Sequence, residues 1–120
     1  MKTGFESTMR KGFHMTFNNG LTVSIQWGAD NYCDNHFPED MDFSCSKDAI
    51  ASTAEIAIWK DDIWLNPCDF TNYEISGDGM VSGYLSPEDV ADVLFNAANM
   101  TADKIEELTA EAKNWDWNCK

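Results

Sequence analysis

The chain has 120 residues, a length that suits one domain, and its 43% hydrophobic and 12% aromatic content supplies enough apolar surface to offset the entropy of ordering it. Twenty-one acids against eight bases give a formal charge of -13, which opposes phosphate backbones and anionic membranes and favours basic surfaces on other proteins. No apolar run approaches the ~20 residues needed to cross a bilayer, so neither nucleic acid nor membrane is expected as a direct partner.

Residues 1–12 are the basic part of the chain, with Lys2, Arg10 and Lys11 against Glu6. They lack the apolar stretch of a secretion signal. The expected location is therefore cytoplasmic, with Cys33, Cys45, Cys68 and Cys119 reduced.

Residues 12–27 form the clearest predicted element. Phe13-His14-Met15-Thr16-Phe17 and Leu21-Thr22-Val23-Ser24-Ile25-Gln26-Trp27 alternate apolar and polar side chains around Asn18-Asn19-Gly20, which predicts a hairpin. A two-residue turn at Asn19-Gly20 would set Phe17 opposite Thr22 and mix the faces. A three-residue loop with Gly20 left-handed pairs Phe17 with Leu21, Met15 with Val23 and Phe13 with Ile25, and this register is preferred. It leaves His14, Thr16, Thr22, Ser24 and Gln26 on a face that is solvated or used for contact.

Across residues 28–48 no period of 2 or 3.6 survives, although Tyr32, Phe37, Met41 and Phe43 lie there. Residues 30–48 also hold six acids against Lys47 alone. Long irregular connections in compact domains often carry function, so the candidate binding surface is Asp30, Tyr32, Asp34, His36, Phe37, Glu39, Asp40 and Asp42. A loop pinned by its own aromatics is the plainer reading of the same stretch.

The same segment opens a metal alternative. Cys33-Asp34-Asn35-His36 has Cys-x-x-His spacing, and Cys45 and Cys68 would complete a tetrahedral set, giving a small metal- or ligand-binding domain. Against it stand small buried thiols and an exposed histidine. The acids of this loop and Asp78-Gly79 do not reproduce the alternating oxygen ligands and terminal glutamate of a calcium loop. A Cys33/His36 dyad would need an orienting group and an oxyanion site, and the chain has no glycine-rich elbow or phosphate loop. No catalytic residue or cofactor is assigned, and an enzyme is not expected.

Residues 54–66 predict a second hairpin, Glu55-Ile56-Ala57-Ile58-Trp59 and Ile63-Trp64-Leu65, with Trp59 facing Trp64 and Ile58 facing Leu65 if Asp61-Asp62 make the turn. A further strand covers residues 80–85. Ser86 as cap, Pro87 at the first helical position and acids in the first turn start a helix over 87–99, with Val90, Val93, Leu94, Ala97 and Ala98 on its apolar side. Thr101 caps a second helix over 102–116, whose stripe is Ile105, Leu108, Ala112 and Trp115 and whose wet side carries Glu106, Glu107 and Glu111. Strands first and helices last predict an α+β fold: an antiparallel sheet of about five strands covered by two C-terminal helices.

Five tryptophans and seven phenylalanines imply an aromatic-rich core, since each ring can bury about 150–250 Å². Trp59 or Trp64, together with Trp115, is expected between sheet and helices. Trp117 lies beyond the apolar stripe and joins the candidate binding surface.

The run Lys11-Gly12-Phe13-His14-Met15-Thr16-Phe17-Asn18-Asn19-Gly20-Leu21-Thr22-Val23-Ser24-Ile25-Gln26-Trp27-Gly28 and the following Asn31-Tyr32-Cys33 resemble small proteins of tailed bacteriophages. Ala54-Glu55-Ile56-Ala57-Ile58-Trp59 and Gly83-Tyr84-Leu85-Ser86-Pro87-Glu88-Asp89-Val90 fit the same likeness, which covers roughly half the chain. It implies a setting, the cytoplasm of an infected host, and no activity. Small acidic phage proteins often bind and block host machinery, so the expected function is a non-enzymatic interaction protein whose partner has a basic surface, such as a defence or nucleic-acid-handling protein.

Overall fold

The computed structural model describes residues 3–8, 12–28, 51–75 and 80–114. Strands β1 (Gly4–Ser7), β2 (Gly12–Thr16), β3 (Leu21–Gln26), β4 (Ala54–Lys60), β5 (Ile63–Leu65) and β6 (Val81–Leu85) precede helices α1 (Pro87–Asn99) and α2 (Ala102–Lys113), with a 3-10 turn at Pro67–Phe70. The sheet runs β1-β2-β3-β4-β5 in space, and β6 also pairs with β4. Every pairing is antiparallel. The α+β architecture anticipated from the order of the elements is therefore present, with six strands among the described residues where about five were expected.

Both hairpin registers follow the apolar pattern. Phe13 pairs with Ile25 and Met15 with Val23. The Phe17 N–H donates to Leu21 O at 2.9 Å, and Gly20 closes the three-residue loop at φ +95°. In the second hairpin Trp59 pairs with Trp64 and Ile58 with Leu65. Here Asp61 supplies the left-handed residue at φ +55°, a conformation that costs a side-chain-bearing residue roughly 1 kcal/mol relative to glycine.

β5 and β6 share one edge of β4: β5 pairs along residues 58–60, and β6 along residues 54–57 with a shift in register. Gly83 and Tyr84 stand opposite Glu55 alone in that shift, and Tyr84 takes φ +57°, so the strand bulges and turns the exposed Tyr84 ring outward.

α1 starts as the sequence predicts. The Ser86 hydroxyl accepts from Asp89 N at 3.1 Å while the Asp89 carboxylate accepts from Ser86 N at 3.2 Å, a reciprocal capping box. Thr101 caps α2 by accepting from Lys104 N. α1 packs on β3, β4 and β6, and α2 packs on β5, so both helices lie on one side of the sheet. Val93, Ala97, Ile105 and Leu108 are their buried residues, while Ala98, assigned to the apolar side from spacing, is exposed.

The core between the layers is aliphatic. Leu21, Val23, Ile25, Ile56, Ile58, Leu65 and Leu85 meet Val93, Ala97, Ile105 and Leu108, each large side chain contributing about 1.5–3 kcal/mol on burial. Phe70 is the one fully buried aromatic ring among the described residues, with Phe13, Phe17 and Trp27 at the margin. Among the described residues the expected aromatic-rich core is thus corrected: alternation in β3–β5 places Ile, Leu and Val inward and Trp59 and Trp64 on the other face. No helix among the described residues is long and apolar enough to cross a membrane.

Candidate functional site

With both helices on one side, the other side of the sheet has no element packed over it among the described residues. Strand parity decides what this open face carries. The registers align Gly4, Thr16, Thr22, Trp59 and Trp64 in one row across five strands. A second row runs Glu6, His14, Ser24, Ala57.

The first row is small at one end and aromatic at the other. Gly4 contributes no side chain, and the Thr16 and Thr22 hydroxyls meet at 2.9 Å. Trp59 and Trp64 then rise together, their ring centroids 5.3 Å apart at 30°. In the second row His14 Nδ1 lies 3.2 Å from Glu6 Oε1. His14 and Trp59 are side chains of β2 and β4, and their rings meet edge to face at 5.0 Å above β3.

The result is a groove of about 440 Å³ lined by Thr3, Gly4, Phe5, Glu6, His14, Thr16, Thr22 and Trp59. Its floor is the Gly4-Thr16-Thr22 row, one wall is the Glu6-His14 pair and the other is Trp59. Glu6 and Glu55 are the charged residues that register places on this face among the described residues; Lys60, paired with Leu21, belongs to the helix side. The lining is consequently acceptor-rich, aromatic and net negative.

The face is less wet than hairpin alternation alone predicts. Thr22 and Ser24 keep only 9% and 7% of their exposure, because the Trp59 and His14 side chains close over β3. Trp64 remains 40% exposed. The expectation that Trp59 or Trp64 packs between sheet and helices is corrected: Trp59 shares parity with Thr22, and Trp64 pairs with Trp59.

A second polar cluster stands on α1. The Tyr73 hydroxyl lies 2.6 Å from Asp89 Oδ1 and 3.0 Å from Asp92 Oδ2, one proton serving two carboxylates. The hydrogen bond to Asp89 pushes the phenol's pKa upward, with desolvation and Asp92 adding to it. The same bond holds Asp89 below the ordinary carboxylate range, helped by Ser86 and opposed by desolvation. Glu88, Asp92, Asp103, Glu106, Glu107 and Glu111 are all exposed on the helices, and no described carboxylate is buried.

The residues chosen from sequence as a binding surface, Asp30, Tyr32, Asp34, His36, Phe37, Glu39, Asp40, Asp42 and Trp117, lie outside the described residues, as do Trp115 and three members of the metal alternative, Cys33, His36 and Cys45. Cys68 is described: half-buried in the 3-10 turn, its thiol donates to Ile75 O at 3.5 Å. No group of three or more His, Cys, Asp or Glu side chains is placed to hold a metal among the described residues. Glu6 and Gly4 were missed as site residues because β1 was not predicted. The available signal was the Phe5/Glu6 alternation, which puts a carboxylate on the His14 side once β1 pairs with β2.

Compared with protein-family models, with characterised proteins and with solved structures, the chain matches none.

Proposed function

We propose that the chain is a non-enzymatic, phage-type interaction protein that docks on a host protein with a basic surface and blocks it. The observation that carries this reading is the open face of the sheet, which Trp59 and Trp64 share with Glu6 and with no lysine or arginine among the described residues. Aromatic rings rimmed by charge are the usual anchors of protein interfaces. The charge of -13 and the outward carboxylates of α1 and α2 would speed the encounter with a basic target, over a range set by the salt. A defence or nucleic-acid-handling protein of the host cytoplasm supplies such a target, because its own ligand is a polyanion.

The test is capture from bacterial lysate on immobilised full chain, at about 50 mM and about 300 mM salt, bracketing a change of roughly 2.4-fold in the range of the charge. The expected result is a stoichiometric partner of high isoelectric point, retained more strongly at the lower salt. Recovery of none at either salt overturns the reading. The alternative metal- or ligand-binding reading is tested separately by metal analysis of purified protein, where zinc well below one equivalent removes it.

A further inference from the structure

We infer that the groove on the open face takes an arginine side chain of the partner, its guanidinium lying between the Glu6 carboxylate and the Trp59 ring. This rests on the reading of the chain as a protein-binding module and names the group that the module recognises.

The chemistry of the lining selects the ligand. A carboxylate has only acceptors to offer, so the imidazole donates from Nδ1 across the 3.2 Å contact with Glu6, and in that tautomer its Nε2 is an acceptor too. One Glu6 oxygen is engaged by His14; Oε2 has no partner among the described residues, and the side chain is 75% exposed. Thr16 and Thr22 share one hydrogen bond and keep further lone pairs on the floor. Carboxylate, imidazole nitrogen and hydroxyl oxygens together ask for a ligand rich in donors and poor in acceptors.

Shape and charge narrow it further. Trp59 walls the groove with an aromatic ring, which favours a flat or cationic group. A guanidinium is planar, carries five N–H donors and no acceptor, and stacks on indole while binding a carboxylate. A lysine ammonium is a compact, strongly hydrated point charge that gains the carboxylate but not the stack. A nucleotide would bring phosphates against Glu6 and a surface of the same sign. A sugar presents as many acceptors as donors and would leave acceptors facing acceptors here.

The experiment uses the intact chain and three short capped peptides, Gly-Arg-Gly and the same peptide with lysine or with citrulline, the neutral isostere of arginine. Binding is read from the indole N–H signals of Trp59 and Trp64 and the ring signals of His14 by NMR. The arginine peptide is expected to shift Trp59 and His14 saturably, with lysine and citrulline at least about fivefold weaker. Glu6→Gln keeps an oxygen to accept from His14 and so preserves the wall. It should weaken the arginine peptide by about fivefold and leave citrulline unchanged.

No saturable shift at Trp59, equal binding of arginine and citrulline, or an unchanged arginine affinity in Glu6→Gln each overturns the inference. Capture of the same lysate partner by wild type and Glu6→Gln in equal yield retains the protein-binding reading and removes the arginine subsite. Saturable arginine binding by a chain that captures no partner does the reverse.

Discussion

Three hydroxyls of the sheet are buried, and their surroundings treat them differently. Thr22 shares a hydrogen bond with Thr16, and Ser24 Oγ accepts from Gln26 Nε2 at 3.1 Å. Both lie on the open face, where polar neighbours in the same or the next row reach them. Ser82 is fully buried in β6 opposite Ile56, on the helix side, and its Oγ has no hydrogen-bond partner among the described residues. A hydroxyl withdrawn from water without a partner costs about 1–3 kcal/mol, which the loss of one oxygen atom would return almost in full. Ser82→Ala is therefore expected to raise stability by about 1 kcal/mol, read as a higher urea midpoint at unchanged slope. A lower midpoint would show that the hydroxyl is satisfied and that the aliphatic core accommodates it by design.

At the scale of elements, one side chain ties the first hairpin to the helical layer. Asn19 Nδ2 donates to Ala97 O at 2.7 Å and to Met100 O at 3.2 Å, and its Oδ1 accepts from Leu21 N at 3.1 Å. Ala97 O, which otherwise accepts only the long bond from the C-cap Met100 N–H at 3.5 Å, and the carbonyl of Met100 itself are thus bonded from the turn between β2 and β3. Asn19→Ala removes all three bonds and is expected to cost about 2 kcal/mol. Asn19→Asp should cost more, although it is nearly isosteric, because a carboxylate would face two carbonyl oxygens at the negative end of a helix. Chemical denaturation of the two variants checks the order, and an aspartate variant as stable as wild type would show that the turn and α1 are held by other contacts.

The hairpins and helix starts were legible because their signals are local: alternation fixes which residues share a face, and Ser86-Pro87 fixes where α1 begins. β1 was not, since Gly4-Phe5-Glu6-Ser7 is four exposed residues at a sheet edge, with no apolar series to betray it. The pairing of β3 with β4 was equally hidden, because more than twenty residues separate them in sequence. Half of the groove could consequently be read from sequence, as His14, Thr16 and Thr22 on one face. The other half, Glu6 and Trp59, required the register across β1 and β4, and the size of a tryptophan misleads where its parity does not.

For the molecule as a whole, the excess of acids is a source of strain as well as of solubility. Ion pairs among the described residues join Lys60 to Asp61 and Lys104 to Glu107, and both are at the surface, where each contributes about 0–1 kcal/mol. They leave α1 and α2 with many unpaired carboxylates on their outer faces, which repel one another more when the chain is compact than when it is extended. Salt shortens the reach of that repulsion from ~30 Å at 0.01 M to ~8 Å at 0.15 M. Raising sodium chloride over this range is expected to stabilise the fold by about 1 kcal/mol, a rise in Tm of roughly 4 °C for a chain of this size. The measurement is calorimetry at neutral pH, with an equal osmolality of sucrose as the uncharged control. A Tm that falls as salt is added would mean that attraction between the few bases and their neighbours outweighs the acid excess. In that case the negative surface would not be free to meet a basic partner.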